Sequence, residues 1–169
     1  NITPCYLGGL QLTGDLIPNK SIELPVDENW YYVAAFPGFS LNTAKARSVL
    51  PKDLSMHASV EFAQRLSSFS SLLLTARFDD ALSIMKDEIA EPYRAPLITG
   101  FSEAKASLPA LGAEVVSISG AGPTLFTVCK TLEAAEQCAK WLKDNYINEQ
   151  GFCHICKLDN DGTRQLNVL

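Results

Sequence analysis

The chain has 169 residues, of which 47% are hydrophobic and 20% are charged. This composition is typical of a folded protein of one domain or slightly more, and it excludes a disordered chain. The 14 basic and 19 acidic residues give a net charge of −5, which argues against a nucleic-acid partner because proteins that bind phosphate backbones present a basic face. No apolar run approaches the ~20 residues of a membrane span, so we expect no membrane partner.

Five cysteines are scattered along the sequence. An odd number without dense spacing does not fit the disulfide framework of a small secreted domain. The first residues also lack the basic and apolar regions of a signal peptide, and we therefore expect a cytoplasmic protein. Since the sequence starts without Met and inside a strand-like segment, we interpret it as a piece of a longer chain that is cut at a domain boundary.

The first third of the sequence predicts two strands and a short helix. Residues 7–12 alternate around two glycines, which is typical of a strand with a bulge or a close backbone approach. Residues 15–25 contain the turn formers and prolines of a connector. Residues 30–36 are aromatic and β-branched, which predicts a second strand. Thr43 is the expected cap of a helix over residues 44–50.

The middle of the sequence predicts three helices. The first helix is the longest of the three. The second helix runs from Phe78 to Ile89 and ends before Pro92. A third helix runs from Phe101 to Leu111, with a kink expected at Pro109 and a stop at Gly112. The first helix carries one apolar stripe that we expect to be buried, and its members are Met56, Val60, Ala63, Leu66, Phe69 and Leu73.

The last third predicts an antiparallel strand pair, a helix and a final strand. Residues 114–119 and 124–129 are the paired strands, Thr131 caps the helix, and residues 152–158 form the last strand. The order strand, helices, strand, strand, helix, strand predicts the α+β class. Its architecture is that of a split βαβ (ferredoxin-like) sandwich, in which helices pack on one face of an antiparallel sheet.

The loop between the paired strands, Ser119-Gly120-Ala121-Gly122-Pro123-Thr124, is the most informative motif. Two glycines one residue apart allow successive backbone N–H groups to point into one concavity, which suits a phosphate or a carboxylate. The loop is not a dinucleotide fingerprint, since a strand follows it and a third glycine is absent. It is not a Walker loop, since no Lys-Ser or Lys-Thr pair closes it. Taken alone, it could equally be an ordinary hairpin turn.

Two arginines are candidate ligands for a carboxylate. Arg47 lies shortly after a predicted strand, four residues beyond Thr43, and Arg94 lies just after a predicted helix. Side chains at such junctions can converge on a cleft, and the planar guanidinium group matches a carboxylate with two parallel hydrogen bonds. Taken singly, each could also be a solvated surface arginine.

The segment Cys153-His154-Ile155-Cys156 resembles a metal motif only superficially. Alternation along a strand places Cys153 and Cys156 on opposite faces. No second cysteine pair lies at the spacing of a zinc ribbon. We therefore expect no metal site in this chain.

Segments that lie far apart in the sequence fit one known pattern. Residues 36–51, which contain Arg47, and residues 85–94, which end at Arg94, resemble two signature segments of the homoserine kinase family. The glycine-rich loop is similar to the third sequence motif of the GHMP kinase superfamily, to which that family belongs. Residues 4–9 resemble the family near its domain junction, and the resemblance extends over nearly the whole chain.

The resemblance also implies what the chain contains and lacks. The ATP loop of the superfamily, a Pro-x-x-x-Gly-Leu-Gly-Ser-Ser-Ala type of segment in the N-terminal domain, does not occur in this sequence. The resemblance therefore implies that residues 29–169 are the C-terminal domain of a GHMP kinase. Residues 1–28 would be a strand and connector from the junction with the missing N-terminal, ATP-binding domain.

The activity implied by the resemblance is the transfer of the γ-phosphoryl group of ATP to the hydroxyl group of L-homoserine, which yields O-phospho-L-homoserine for threonine biosynthesis. Arg47 and Arg94 would hold the homoserine carboxylate with help from Thr43, and residues 119–124 would face the phosphates. ATP and Mg²⁺ would be bound mainly by the N-terminal domain, so this fragment would contain no catalytic residue and be inactive alone. A homodimer is compatible with this reading.

Two alternatives remain open at this stage. The chain could be a non-catalytic module that binds an amino acid for regulation on a similar α/β sandwich. It could also belong to another GHMP small-molecule kinase, such as one for mevalonate or a sugar. A GHMP-type ATP loop in the sequence that precedes this fragment would decide in favour of a kinase.

Overall fold

An antiparallel sheet of four strands lies at the centre of the fold, and a separate hairpin of two strands precedes it. The structure is a computed structural model that describes residues 2–165. Its strands are β1 (Leu10–Thr13), β2 (Ser21–Leu24), β3 (Tyr31–Phe36), β4 (Ala113–Ile118), β5 (Leu125–Cys129) and β6 (Phe152–Cys156). Its helices are α1 (Ile2–Leu7), α2 (Thr43–Ser48), α3 (Met56–Leu74), α4 (Phe78–Ile84), α5 (Glu91–Arg94), α6 (Phe101–Ser107) and α7 (Leu132–Asn145), with 3-10 turns at Pro18–Lys20, Ala95–Leu97 and Leu108–Leu111. Residue 1 and residues 166–169, the outer ends of the two expected domains, lie outside the described residues.

The strand order in the sheet is β4-β5-β3-β6, and every neighbouring pair is antiparallel. Alternate residues of a strand point to opposite faces, so Val33 and Ala35 of β3 share one face with Leu125 and Cys129 of β5. These four side chains are fully buried under α6, α7 and the 3-10 turn at Leu108–Leu111. Burial of each large apolar side chain in this layer contributes about 1.5–3 kcal/mol to the free energy of unfolding.

The opposite face of the sheet carries a second, smaller layer. Val128 of β5 points to this face, where α3, α4 and the β1–β2 hairpin pack around Leu73, Leu82 and Leu24. Trp30 lies in the same cluster and packs edge-to-face on Phe78, with ring centroids 5.9 Å apart. The α+β class with an antiparallel sheet and packed helices is confirmed, and the layer on the second face is an addition that the sequence pattern did not indicate.

The apolar stripe expected to be buried along α3 is for the most part exposed. Leu73 is buried, but Met56 is 79% exposed, and Val60 and Leu66 are also exposed. The C-terminal part of α3 packs on the sheet layer while its N-terminal part extends beyond it. Periodicity predicts which residues share a face of a helix, but it does not predict how far a neighbouring layer reaches along that face.

The second predicted helix is shorter than expected. It ends at Ile84 rather than Ile89, because Met85 adopts an extended conformation with ψ of 101°. Asp87 then accepts hydrogen bonds from the backbone N–H groups of Ile89 and Ala90 at 3.0 and 2.7 Å. These bonds hold the turn that precedes α5, which begins at Glu91. Pro92 consequently lies in the first turn of a new helix, where proline is favoured.

Two predictions near the N-terminus were wrong. Residues 7–12 are not one strand, since α1 ends at Leu7 and β1 begins at Leu10. Gly8 and Gly9 between them have φ of 78° and 64°, which ends the helix and turns the chain. The expected connector over residues 15–25 contains β2, which pairs with β1.

Several local signals were read correctly. Thr131 caps α7 through a 3.1 Å hydrogen bond from the N–H of Ala134. The third predicted helix changes to a 3-10 turn at Leu108, next to Pro109, and stops at Gly112, whose φ is 94°. The last strand is shorter than expected and ends at Cys156. No helix within residues 2–165 combines the length and apolar character needed to cross a bilayer.

Candidate functional site

Helix α2 presents two side chains that are available for a ligand. Asn42, not Thr43 as expected, caps the helix, and its Oδ1 accepts from the N–H groups of Ala44 and Lys45 at 2.8 and 3.2 Å. Thr43 and Arg47 are four residues apart and therefore lie on one face of the helix. Both are exposed. Within residues 2–165, neither the Thr43 hydroxyl nor the Arg47 guanidinium has a hydrogen-bond partner.

Arg94 joins α2 to the glycine-rich loop. Its Nε donates to the carbonyl of Ala46 at 3.1 Å, and its Nη1 donates to the carbonyl of Gly120 at 2.9 Å. Since Ala46 directly precedes Arg47, Arg94 lies against the same short helix that carries Arg47. Arg94 is half-buried, and two of its five N–H groups are used in these bonds, so three donors remain for a ligand.

The glycine-rich loop, residues 119–124, is the hairpin connection between β4 and β5. The N–H of Ser119 donates to the carbonyl of Thr124 at 2.8 Å, and the N–H of Gly122 donates to the carbonyl of Ser119 at 3.0 Å. Gly122 has φ of 83°, and a Cβ at this position would lie 2.6 Å from Cδ1 of Ile98, so another residue there would be strained and would displace the Ile98 side chain. The loop is therefore a hairpin turn whose conformation favours glycine at position 122.

Two backbone N–H groups of this loop take no part in the hydrogen bonds that close it. In the part of the chain that the structure describes, the amides of Gly120 and Ala121 have no protein partner, and Gly120 is exposed. Gly120 has φ of 60°, a conformation in which consecutive amides can share one acceptor. The loop can therefore donate hydrogen bonds to an anionic oxygen.

A tyrosine directly after α7 supports this loop from the core side. Tyr146 is buried, and its hydroxyl donates to the carbonyl of Pro123 at 2.7 Å. Burial raises the pKa of the Tyr146 phenol well above its usual value of 10. The phenol is therefore a neutral donor at physiological pH, and the peptide bond between Gly122 and Pro123 that it supports is cis.

An ion pair between a buried carboxylate and a partly exposed lysine fixes α5, and no sequence pattern indicated it. Glu91 is 9% exposed, and its Oε1 lies 2.5 Å from Nζ of Lys105 on α6. The Ser117 hydroxyl donates to Oε2 of Glu91 at 3.3 Å, and Lys105 also donates to the carbonyl of Val116 at 2.8 Å. The partners of Glu91 come from β4 and α6. The sequence pattern of α5 alone therefore does not indicate these contacts.

The cysteines of β6 lie apart, as the alternation predicted. Cys153 points to α7, where its Sγ lies 3.8 Å from the carbonyl oxygen of Ala139, and burial raises the pKa of its thiol. Cys156 is exposed. Among residues 2–165, no group of three or more His, Cys, Asp and Glu side chains is arranged to hold a metal ion.

Comparisons with known proteins show which proteins this chain is similar to. The family model "GHMP kinases C terminal" matches residues 69–148. The chain is 43% identical over 167 residues to homoserine kinase of Buchnera aphidicola subsp. Cinara cedri (strain Cc), a match that covers 98% of this chain and 53% of that protein.

Solved structures give the same result. The crystal structure of homoserine kinase from Cytophaga hutchinsonii matches with a TM-score of 0.85 and 30% identity, over 96% of this chain and 52% of that one. Mevalonate kinase from L. major in complex with R-mevalonate matches with a TM-score of 0.54 and 13% identity, over 88% of this chain and 47% of that one. This second likeness concerns the fold alone.

The chain spans about half the length of the relatives that it matches. Within that half, the glycine-rich loop, both arginines and the sheet lie in one continuous match to the sequence and the structure of homoserine kinases. On this evidence the chain belongs to the GHMP kinase family and corresponds to its C-terminal domain.

Proposed function

We propose that the chain is the substrate-binding C-terminal half of a homoserine kinase, which transfers the γ-phosphoryl group of ATP to the hydroxyl of L-homoserine. The observation that carries this proposal is that Arg94 is hydrogen-bonded both to α2, the helix that carries Arg47, and to the glycine-rich loop. Two guanidinium groups supply the charge and the hydrogen-bond fork that a free carboxylate requires. The loop beside them supplies unpaired amides for a second anionic group.

The proposed roles of the side chains follow from their surroundings. Arg47 has all of its donors available and is the main carboxylate ligand. Arg94 uses part of its guanidinium to hold α2 and the loop, and it offers the remaining donors to the same carboxylate. The Thr43 hydroxyl, on the Arg47 face of α2, accepts from the substrate ammonium group or donates to its carboxylate. These contacts hold the acceptor hydroxyl in position, and phosphoryl transfer depends mostly on positioning and charge neutralisation.

The residues of this chain fit one part of an ATP site. The free amides of Gly120 and Ala121 suit phosphate oxygens, and the exposed position of Gly120 leaves room for them. ATP, when bound, supplies the phosphoryl group that is transferred. The described residues offer no acidic cluster for Mg²⁺, so we assign the metal ligands and most nucleotide contacts to an N-terminal domain. We place the boundary between the two domains near residue 28. We also propose a cytoplasmic location, where five free cysteines are stable.

The test is an assay of the full-length protein with ATP and a panel of acceptors. We expect ATP-dependent formation of phosphohomoserine, with much weaker use of mevalonate or a sugar. The chain of 169 residues by itself should fold but produce no phosphohomoserine. Preferred phosphorylation of another acceptor would replace homoserine in the proposal, and binding of an amino acid without any phosphoryl transfer would replace the kinase by a regulatory module.

A further inference from the structure

We propose that Glu91 is a positioning residue that fixes the guanidinium of Arg94, and that it acts through its contacts with Ser117 and Lys105. The inference rests on the proposed function, because it concerns the same substrate site. It adds to that function a residue that lies behind the site and is not exposed to the substrate.

Helix α5 needs an anchor because it consists of a single turn. A helix of four residues is not stable by itself. Among these four residues, Glu91 has the only buried side chain, while Pro92 and Tyr93 are exposed and Arg94 is half-buried. The attachment of α5 on its inner side is therefore made by a carboxylate and not by an apolar side chain.

The carboxylate holds α5 at a defined angle because each of its oxygens has its own partner. Oε1 lies 2.5 Å from Lys105 Nζ, and Oε2 accepts from the Ser117 hydroxyl at 3.3 Å. Lys105 is in turn fixed by the carbonyl of Val116 at 2.8 Å. Directional bonds to two elements restrict rotation of the short helix, which an apolar contact would not do.

The helix and the loop segment are joined at two matching points. Glu91 contacts Ser117, and Arg94 contacts the carbonyl of Gly120 at 2.9 Å. Glu91 and Arg94 are three residues apart on α5, and Ser117 and Gly120 are three residues apart on the segment that runs from β4 into the loop. The two contacts close a ring through α5 and the end of β4, so the position of the Arg94 guanidinium depends on both of them.

Loss of the carboxylate leaves Arg94 as the remaining tie between α5 and the loop. The guanidinium then shifts with the helix, and a misplacement of about 1 Å at a binding group can cost on the order of 100-fold in rate. We expect Glu91→Gln to lower kcat/KM for homoserine by on the order of 10- to 100-fold, mainly through a higher KM for homoserine. The KM for ATP should change little.

The decisive experiment is a double-mutant cycle in the full-length enzyme. Glu91→Gln is measured in the wild-type background and in an Arg94→Ala background. If Glu91 acts through Arg94, it lowers kcat/KM in the first background and has no further effect in the second. An equal loss in both backgrounds, or a parallel rise in the KM for ATP, would overturn the proposal. Glu88→Gln is the matched control, since Glu88 pairs with Arg65 at the surface, at 2.9 Å, and should leave the kinetics unchanged.

A second measurement does not depend on kinase activity. In the full-length protein labelled with ¹⁵N-arginine, the Nε–H of Arg94 should exchange slowly, because it donates to Ala46. We expect faster exchange in Glu91→Gln, and unchanged exchange would refute the positioning role. Faster exchange in a protein that phosphorylates no homoserine would overturn the proposed function and leave the positioning role intact. Ser117→Ala, which removes one of the two contacts, replaces Glu91→Gln if that variant does not fold, and we expect a smaller effect in the same direction.

Discussion

The substitution Arg47→Ala tests the proposed carboxylate site most directly. Arg47 is exposed, and within the described residues it has no hydrogen-bond partner, so its removal should leave the folded structure intact. A charge-assisted hydrogen bond to a carboxylate contributes about 1.5–3 kcal/mol. At about 1.36 kcal/mol per tenfold change, loss of this contact should lower kcat/KM for homoserine by about 10- to 150-fold. Arg47→Lys should recover part of the loss, since an ammonium group keeps the charge without the planar fork.

The assay measures phosphohomoserine formation by the full-length enzyme at varied homoserine and at varied ATP. Lys45→Ala is a matched control, because Lys45 is also an exposed cation on α2 and lies two residues from Arg47, on another side of the helix. It removes the same charge from the same helix. We expect near-normal kinetics for this control and an unchanged KM for ATP in Arg47→Ala.

Two results would refute the reasoning. Wild-type kcat/KM in Arg47→Ala would make Arg47 an ordinary surface arginine. Equal losses in Arg47→Ala and Lys45→Ala would mean that general electrostatic attraction of the substrate, and not a specific contact, accounts for the effect. Circular dichroism and a thermal unfolding curve for each variant establish that folding is preserved.

Three further predictions concern Arg94, Tyr146 and the cysteines of β6. Arg94→Ala should lower kcat/KM for homoserine at least as much as Arg47→Ala, and hydrogen exchange should show faster opening of α2, because Arg94 also holds that helix. Tyr146→Phe should reduce the free energy of unfolding by about 1 kcal/mol in urea titrations at pH 7. The folded pKa of Tyr146 is raised, so its stabilisation is present below pH 10 and is lost as the pH rises above it, and the wild-type protein should lose more stability than Tyr146→Phe in that range. Elemental analysis should find no stoichiometric zinc, and zinc that is lost in Cys153→Ser would contradict the strand alternation.

Features that depend on neighbours in the sequence could be predicted. Thr131 and Gly112 were found because a helix cap and a left-handed stop are decided within one turn of the chain. The strands of the sheet were found because β-branched and aromatic runs between turn formers have few other structures available. The choice of Thr43 instead of Asn42 as a cap was wrong by one residue, since both side chains can serve as a cap and the sequence does not indicate which one lies outside the helix.

Features that depend on packing between distant elements could not be predicted. The periodicity of α3 was read correctly, but the exposure of Met56 depends on how far the neighbouring layer extends. Glu91 was not identified as a candidate residue, since nothing in the sequence indicates that Lys105 of another helix approaches it. The resemblance pointed to Arg47 and Arg94 as a pair, whereas the way in which Arg94 is held by backbone carbonyls comes only from the structure.

The two bonds made by Arg94 also have a consequence for the order in which parts of the protein unfold. They join the guanidinium to the carbonyls of Ala46 and Gly120, and they hold a helix in which Ala46 alone is buried. Segments with few buried apolar contacts open more easily than a packed core. The sheet and its core can therefore remain intact while α2 is detached. In increasing denaturant, we expect the kinase activity of the full-length protein to disappear before the far-ultraviolet circular dichroism of the sheet changes, so that the proposed substrate site is the first part of the native state to be lost.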